Sequence, residues 1–258
     1  MQPDSNMKIG IWTLDLSTAN LLRLANKGFN KIFLQTGYFW NIVKDDPYYP
    51  TVIDKQKRTA EEMFKCYEIA KQLGFKYFLI DFGWGLGEVD DNYFYKYIYE
   101  RFEKCDNVIY YSGEPIENYV ETGKYNSAVM KQILAVKYNL AKGNILFDAT
   151  ARNFDKLKEL YPKNTTLSSY CNVEKHWAKG VPTVWFMGDP SISLFGGAYN
   201  YEDRIKFAKT LGINDFMLYQ GNEAKMNTIG WEKFLVKIFY GINKFNNNMQ
   251  DKFLKLLK

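Results

Sequence analysis

Carboxylates and aromatic rings stand where the apolar runs of this chain give out, an arrangement suited to acid–base chemistry on a polar, ring-shaped ligand. Asp15 ends the first run, Gln35 with Tyr38 and Trp40 the second, and Asp81 with Trp84 the third. Glu114 follows Tyr111, Arg152 follows Asp148, Ser169 and Tyr170 come next, then Asp189, and finally Gln220 with Glu223. Two carboxylates across a pocket can divide the work of cleaving a glycosidic bond. One is protonated and donates to the leaving oxygen, while the other stays ionised as nucleophile or base. Glu114 is the candidate acid/base: in YYSGEP it closely follows an apolar run, and Pro115 stops that run and fixes the chain's exit. Asp189, in WFMGDP, stands at the end of the seventh run. Asp81, Trp84, Asp148, Arg152, Tyr38, Trp40, Tyr111, Gln220 and Glu223 are the candidate substrate-binding residues, the aromatic ones because flat rings stack on the apolar face of a pyranose.

Several chemistries lack their residues. The single histidine, His176, lies between the sixth and seventh runs rather than at the end of one, which disfavours His-rich zinc or manganese sites. No lysine ends a run in the apolar surroundings a Schiff base needs. There is no Walker loop and no glycine fingerprint for a dinucleotide. A magnesium site built from Asp81, Glu114 and Asp148 alone would normally enlist substrate phosphates. The expectation is therefore a site with no cofactor and no metal.

Eight short apolar runs must position these residues: IGIWTLD (9–15), KIFLQTGYF (31–39), KYFLIDFGW (76–84), NVIYYSGEP (107–115), NILFDATAR (144–152), TTLSSYC (165–171), PTVWFMGD (182–189) and INDFMLYQG (213–221). Each reads as a strand buried on both faces, where apolar and polar residues no longer alternate. Segments with apolar residues at helical spacing alternate with them: 16–27, 58–73, 91–104, 125–142, 154–160, 201–211 and 231–245. Gly28, Gly74, Gly143, Gly180 and Gly212 stand just before strands, where a left-handed cap turns the chain back. The pattern predicts an α/β fold, a single (β/α)8 barrel over residues 1–258, with a C-terminal helix at about 249–258 packed on it. The site then lies at the carboxyl ends of the strands. The sixth crossover, Val173 to Lys179, is short enough to be irregular, and the second loop, from Tyr38 through DDPYYP, is long enough to be a lid.

Composition supports one well-filled domain: 258 residues, 47% hydrophobic and 17% aromatic. The net charge of +5, from 34 basic and 29 acidic residues, is spread along the helical segments. That distribution predicts a solvated outer ring and no nucleic-acid partner. No apolar run approaches the ~18 residues of a membrane span, and the start, MQPDSNMKIG, lacks the features of a signal peptide. Cys66, Cys105 and Cys171 are odd in number and widely spaced, which fits reduced thiols and a cytoplasmic setting, although a processed secreted chain would begin in the same way.

Two resemblances sharpen the functional expectation. Gly113, Glu114 and Pro115 resemble the Asn-Glu-Pro motif ending the fourth strand of clan A glycoside hydrolases, with Gly113 in place of the asparagine. The resemblance implies Glu114 as general acid/base and Asp189 as the seventh-strand carboxylate, where the family carries glutamate. The shorter aspartate arm widens the gap between the carboxylates and points away from the retaining separation. GFKYFLIDFGWG (74–85) is similar to a strand of α-galactosidase-type barrels, which implies sugar contacts for Asp81 and Trp84; Phe82 replaces that family's second aspartate. The expected function is thus glycoside hydrolysis of a carbohydrate substrate. Two other readings stay open. One takes the loop with Gly196 and Gly197, plus Gly221, as a grip for a phosphorylated small molecule. The other is a non-catalytic carbohydrate-binding barrel.

Overall fold

Eight parallel strands close into a barrel in chain order, the eighth pairing with the first. The computed structural model describes residues 6–13, 15–81, 97–98, 100–112, 145–149, 166–170, 178, 183–187, 201–220 and 242–258. The strands are β1 (Lys8–Thr13), β2 (Lys31–Leu34), β3 (Tyr77–Asp81), β4 (Val108–Ser112), β5 (Ile145–Ala149), β6 (Thr166–Tyr170), β7 (Thr183–Met187) and β8 (Asp215–Gln220). Each falls inside one of the eight apolar runs, apart from Lys8, which extends the first run backwards by one residue. The helices are α1 (Thr18–Lys27), α2 (Thr36–Val43), α3 (Val52–Gln72), α4 (Tyr201–Thr210) and α5 (Ile242–Leu257). Residues 97–98 and 100–102, within the helix expected over 91–104, are also helical.

Alternation along β1 divides its residues between two environments. Ile9 and Ile11 join the cluster shared with the helices, whose members include Leu21, Leu24, Met63, Tyr67, Ala208 and Phe253. Trp12 joins a smaller cluster inside the barrel with Phe33, Leu79, Met217, Tyr219 and Ile109. A two-residue period therefore separates a helix-facing layer from an inward layer, even though β2 is buried at every position.

Three helix-to-strand turns share one device. After α1, Gly28 takes a left-handed conformation (φ 110°), its N–H donates to the Ala25 carbonyl, and the Phe29 N–H donates to the Leu24 carbonyl. Gly74–Phe75 after α3 and Gly212–Ile213 after α4 repeat the same pair of bonds. The residue following each glycine, Phe29, Phe75 or Ile213, is buried and aims the chain into the next strand. A Cβ added at Gly28 meets nothing within 4 Å, so the penalty of Gly28→Ala comes from the backbone alone and is expected to be about 1 kcal/mol in urea unfolding. Gly37, in the first turn of α2, has equally open surroundings. Gly37→Ala is expected to shift stability the other way, by up to about 1 kcal/mol.

Three sequence expectations are corrected. The run 31–39 is not one strand: β2 stops at Leu34 and α2 begins at Thr36, so Tyr38 and Trp40 are helical and Phe39 is buried against the helix-facing core. α3 starts at Val52 rather than near Arg58, because the Thr51 hydroxyl accepts from the Asp54 N–H and caps the helix earlier. α5 runs unbroken over Ile242–Leu257, joining the end of the expected 231–245 helix to the separately expected 249–258 helix. That last segment packs on the barrel. Phe253, Leu254 and Leu257 are buried, and Phe253 stacks on Phe29 with ring centroids 6.5 Å apart. Arg23 of α1 donates to Gln250 at 2.7 Å and to Asn247, Lys27 pairs with Asp251 at 2.5 Å, and Lys209 of α4 donates to the Leu257 carbonyl at 2.9 Å. α5 thus bridges the first helix and the helix preceding the last strand. No described helix is long and apolar enough to cross a membrane.

Candidate active site at the carboxyl ends of the strands

The parallel registers bring the positions of Asp81, Tyr111, Asp148 and Gln220 to one end of the barrel. Asp81 is the last residue of β3, in register with Tyr111 of β4. Asp148 is the fourth residue of β5, in register with Ser168 of β6. Gln220 ends β8, in register with Thr13, the last residue of β1. Glu114 and Asp189 lie outside the described residues, two positions beyond the ends of β4 and β7 in sequence. Trp84, Arg152 and Glu223 are likewise outside them, as are His176, Cys171, Gly143, Gly180 and the Gly196–Gly197 loop.

Where the ends of β1 and β2 meet, the mouth is well defined. The Gln35 side-chain amide donates from Nε2 to the Thr13 carbonyl at 3.0 Å, tying the two strand ends together. The Asp15 N–H donates to the Thr13 hydroxyl at 3.3 Å, and the Asp15 carboxylate accepts from the Ser17 N–H at 2.9 Å. Asp15 therefore organises the turn into α1, with Ser17 capping that helix through the Asn20 N–H. Tyr38 and Trp40, on α2, pack partly buried against the core. Burial raises the Tyr38 phenol above its ordinary pKa, and the Asp15 carboxylate and Cys66 reinforce this, so Tyr38 stays protonated and able to donate at neutral pH. Nearby, burial pushes the Cys66 thiol up to about 12, which makes it an inert core group rather than a nucleophile. Cys66 and Cys105 are free thiols. Among the described residues, no group of His, Cys, Asp or Glu side chains converges as a metal site.

Directly beneath the mouth lies an aromatic layer absent from the sequence-derived set. Trp12 meets Tyr219 edge to face, with centroids 4.3 Å apart, and tilts against Phe33 at 4.6 Å. Within a continuous apolar run, Trp12 reads as core. The available signal was its two-residue spacing from Gly10, which places both on the inward side of β1.

Lower still, the inward side of the barrel is polar and buried. Lys31, at the start of β2, donates to both carboxylate oxygens of Asp215, at the start of β8, at 2.8 Å each. The Thr183 hydroxyl donates to the same carboxylate at 3.1 Å. Lys31 is wholly buried and Asp215 is only 4% exposed. Desolvation lowers the pKa of the Lys31 ammonium, while Asp215 pulls it back up.

No protein-family model and no curated protein matches the chain. Solved structures do. A D-psicose 3-epimerase from Clostridium cellulolyticum H10, solved with D-tagatose, aligns with a TM-score of 0.55 at 13% identity, covering 97% of both chains. The likeness is one of fold. A D-psicose 3-epimerase solved in the presence of D-fructose aligns at 0.53 and 12% identity, again over 97% of each chain. A xylose isomerase domain protein from Alicyclobacillus acidocaldarius aligns at 0.52 and 9%, covering 96% of this chain and 99% of that one. These alignments run nearly end to end and agree with the closed (β/α)8 barrel seen here.

Proposed function

We propose that this chain is an enzyme of carbohydrates, working at the carboxyl-terminal face of the barrel through acid–base carboxylates. The supporting observation is the register of the closed barrel, which gathers the strand-end positions Asp81, Tyr111, Asp148 and Gln220 at the end of the fold where barrel enzymes act, with Glu114 two residues beyond β4. In this reading Glu114 donates a proton to a glycosidic oxygen, and Asp189 serves as nucleophile or base. Asp81, Trp84, Asp148, Arg152, Tyr38, Trp40, Tyr111, Gln220 and Glu223 surround the sugar.

A second reading draws on the names of the aligned structures, two of which are ketose epimerases. Paired carboxylates could equally move a proton beside the carbonyl of a free ketose, one removing it and the other returning it. The test is turnover by the wild type and by Glu114→Gln on aryl glycosides, polysaccharides and free ketohexoses, followed by NMR. Glu114→Gln is expected to lose activity by a factor of about 100 or more. Released sugar would support the glycosidase reading, and epimer formation with solvent-deuterium incorporation would support the ketose reading. Absence of wild-type turnover on every substrate, or an unaffected variant, would overturn the role given to Glu114 and favour the phosphorylated-substrate or binding-barrel alternatives.

A further inference from the structure

Strands buried on both faces carry little register information, because a slip of two residues keeps every side chain on its own side of the sheet. β8 is such a strand: Phe216, Met217 and Leu218 are all fully buried, so apolar burial alone discriminates weakly between alignments. Another feature must select the one in which Lys8, Gly10 and Trp12 lie opposite Asp215, Met217 and Tyr219. The amino-terminal end of the barrel supplies it. Lys31 is level with Gly10 of β1, whereas Asp215 is level with Lys8, two residues nearer that end. The lysine therefore reaches across β1 to β8, over a glycine with no side chain to obstruct it. A Cβ at Gly10 would lie 3.3 Å from the Lys31 Cβ and 1.9 Å from the Met217 sulfur. Thr183, in register with Asp215, donates to the same carboxylate from β7. Asp215 is thus bonded to β7 on one side and, across β1, to β2 on the other.

We infer that the Lys31–Asp215–Thr183 set, together with Gly10, is a register key that selects a single alignment at the seam where β1 meets β8. Each direction of slip is blocked by a different member. A two-residue slip of β8 towards the amino-terminal end carries Asp215 about 7 Å further from Lys31 and leaves two buried charges unmatched. The opposite slip moves Met217 from Gly10 to Trp12, into the layer that already contains Phe33 and Tyr219. A buried ion pair adds little net stability over apolar packing, so its role here is to penalise the alternatives. The effect is felt at the far end of the barrel. There the same alignment sets Thr13 beside Gln220, while the Gln35 amide holds the Thr13 carbonyl. The inference depends only on register and holds whichever reaction the barrel performs.

The test uses the full chain isotopically labelled at its methionine methyl groups, with the Met217 signal assigned in each protein by its loss on Met217→Leu. Wild type is expected to give one Met217 resonance. The double variant Lys31→Leu with Asp215→Leu, which removes the key and adds no methionine, is expected to fold and to show a second Met217 resonance at about a tenth of the total intensity. Thr183→Val, which leaves the ion pair in place, is expected to keep a single resonance. One Met217 resonance in the folded double variant would overturn the inference, because apolar burial would then suffice to choose the register. Failure of the double variant to fold would overturn it too, by making the pair a requirement of the barrel rather than of its alignment. Splitting in Thr183→Val would do the same independently, by showing that any disturbance of this layer loosens the seam.

Discussion

Lys31→Met is expected to lower the stability of the chain by about 3–5 kcal/mol, and Asp215→Leu to do the same, whereas the double variant recovers most of the loss. Both charges are buried inside the barrel, and each satisfies the other: Nζ lies 2.8 Å from both carboxylate oxygens. Removing one leaves the other buried, with Thr183, among the described residues, still donating to the carboxylate when Lys31 is the one replaced. Removing both exchanges two desolvation penalties for ordinary apolar packing, which in other buried pairs is neutral or stabilising. For a chain of this size, the single variants should lower the midpoint temperature by roughly 6–20 °C. Urea unfolding of the four proteins in the cycle is the decisive measurement. Single variants within about 1 kcal/mol of wild type would show that the pair is dispensable, and a double variant no better than the singles would show that its geometry, rather than mutual neutralisation, holds the strands.

Gly10→Val should cost roughly 3 kcal/mol, at the upper end of the range for overpacking. The position lies on β1 between Lys31 of β2 and Met217 of β8. A Cβ there would fall 1.9 Å from the Met217 sulfur and 3.3 Å from the Lys31 Cβ. Met217 is fully buried, so its thioether can yield only by displacing the inward layer that contains Phe33 and Tyr219. A second substitution, Met217→Ala, should restore much of the stability lost in Gly10→Val by vacating that space. Thermal unfolding of the single and double variants tests this; an equal penalty in the presence of Met217→Ala would move the cause from side-chain collision to the backbone.

Much of the scaffold was legible from sequence because parallel strands buried on both faces leave continuous apolar runs, and because left-handed turns call for glycine. Gly28, Gly74 and Gly212 mark strand entries on both grounds. The second run was misread because KIFLQTGYF stays apolar through the change from β2 to α2, with only Gln35–Thr36–Gly37 between them. Thr51 followed by Asp54 signalled the true start of α3, a cap that apolar periodicity alone does not register. The Lys31–Asp215 pair was invisible for a different reason. Its members are 184 residues apart, and a charged residue at a strand's edge ordinarily faces water. Asp81, Tyr111, Asp148 and Gln220 could be picked out as positions near the strand ends because barrel topology fixes where strands end. The packing of Trp12 against Tyr219 was harder to read, because contacts across a barrel depend on register between strands far apart in sequence.

The pairing of the first strand with the last has a consequence for synthesis. During translation, β1 and Lys31 leave the ribosome long before their partners on β8 exist. At about 5–20 residues per second, Lys31 waits roughly ten to forty seconds for Asp215, and α5 follows later still. Until then the edge of β1 has no β8 to pair with, and the lysine has no carboxylate at its side. The nascent chain must therefore remain open on that side, keeping its cation in water, and becomes a barrel only when the final quarter of the polypeptide arrives.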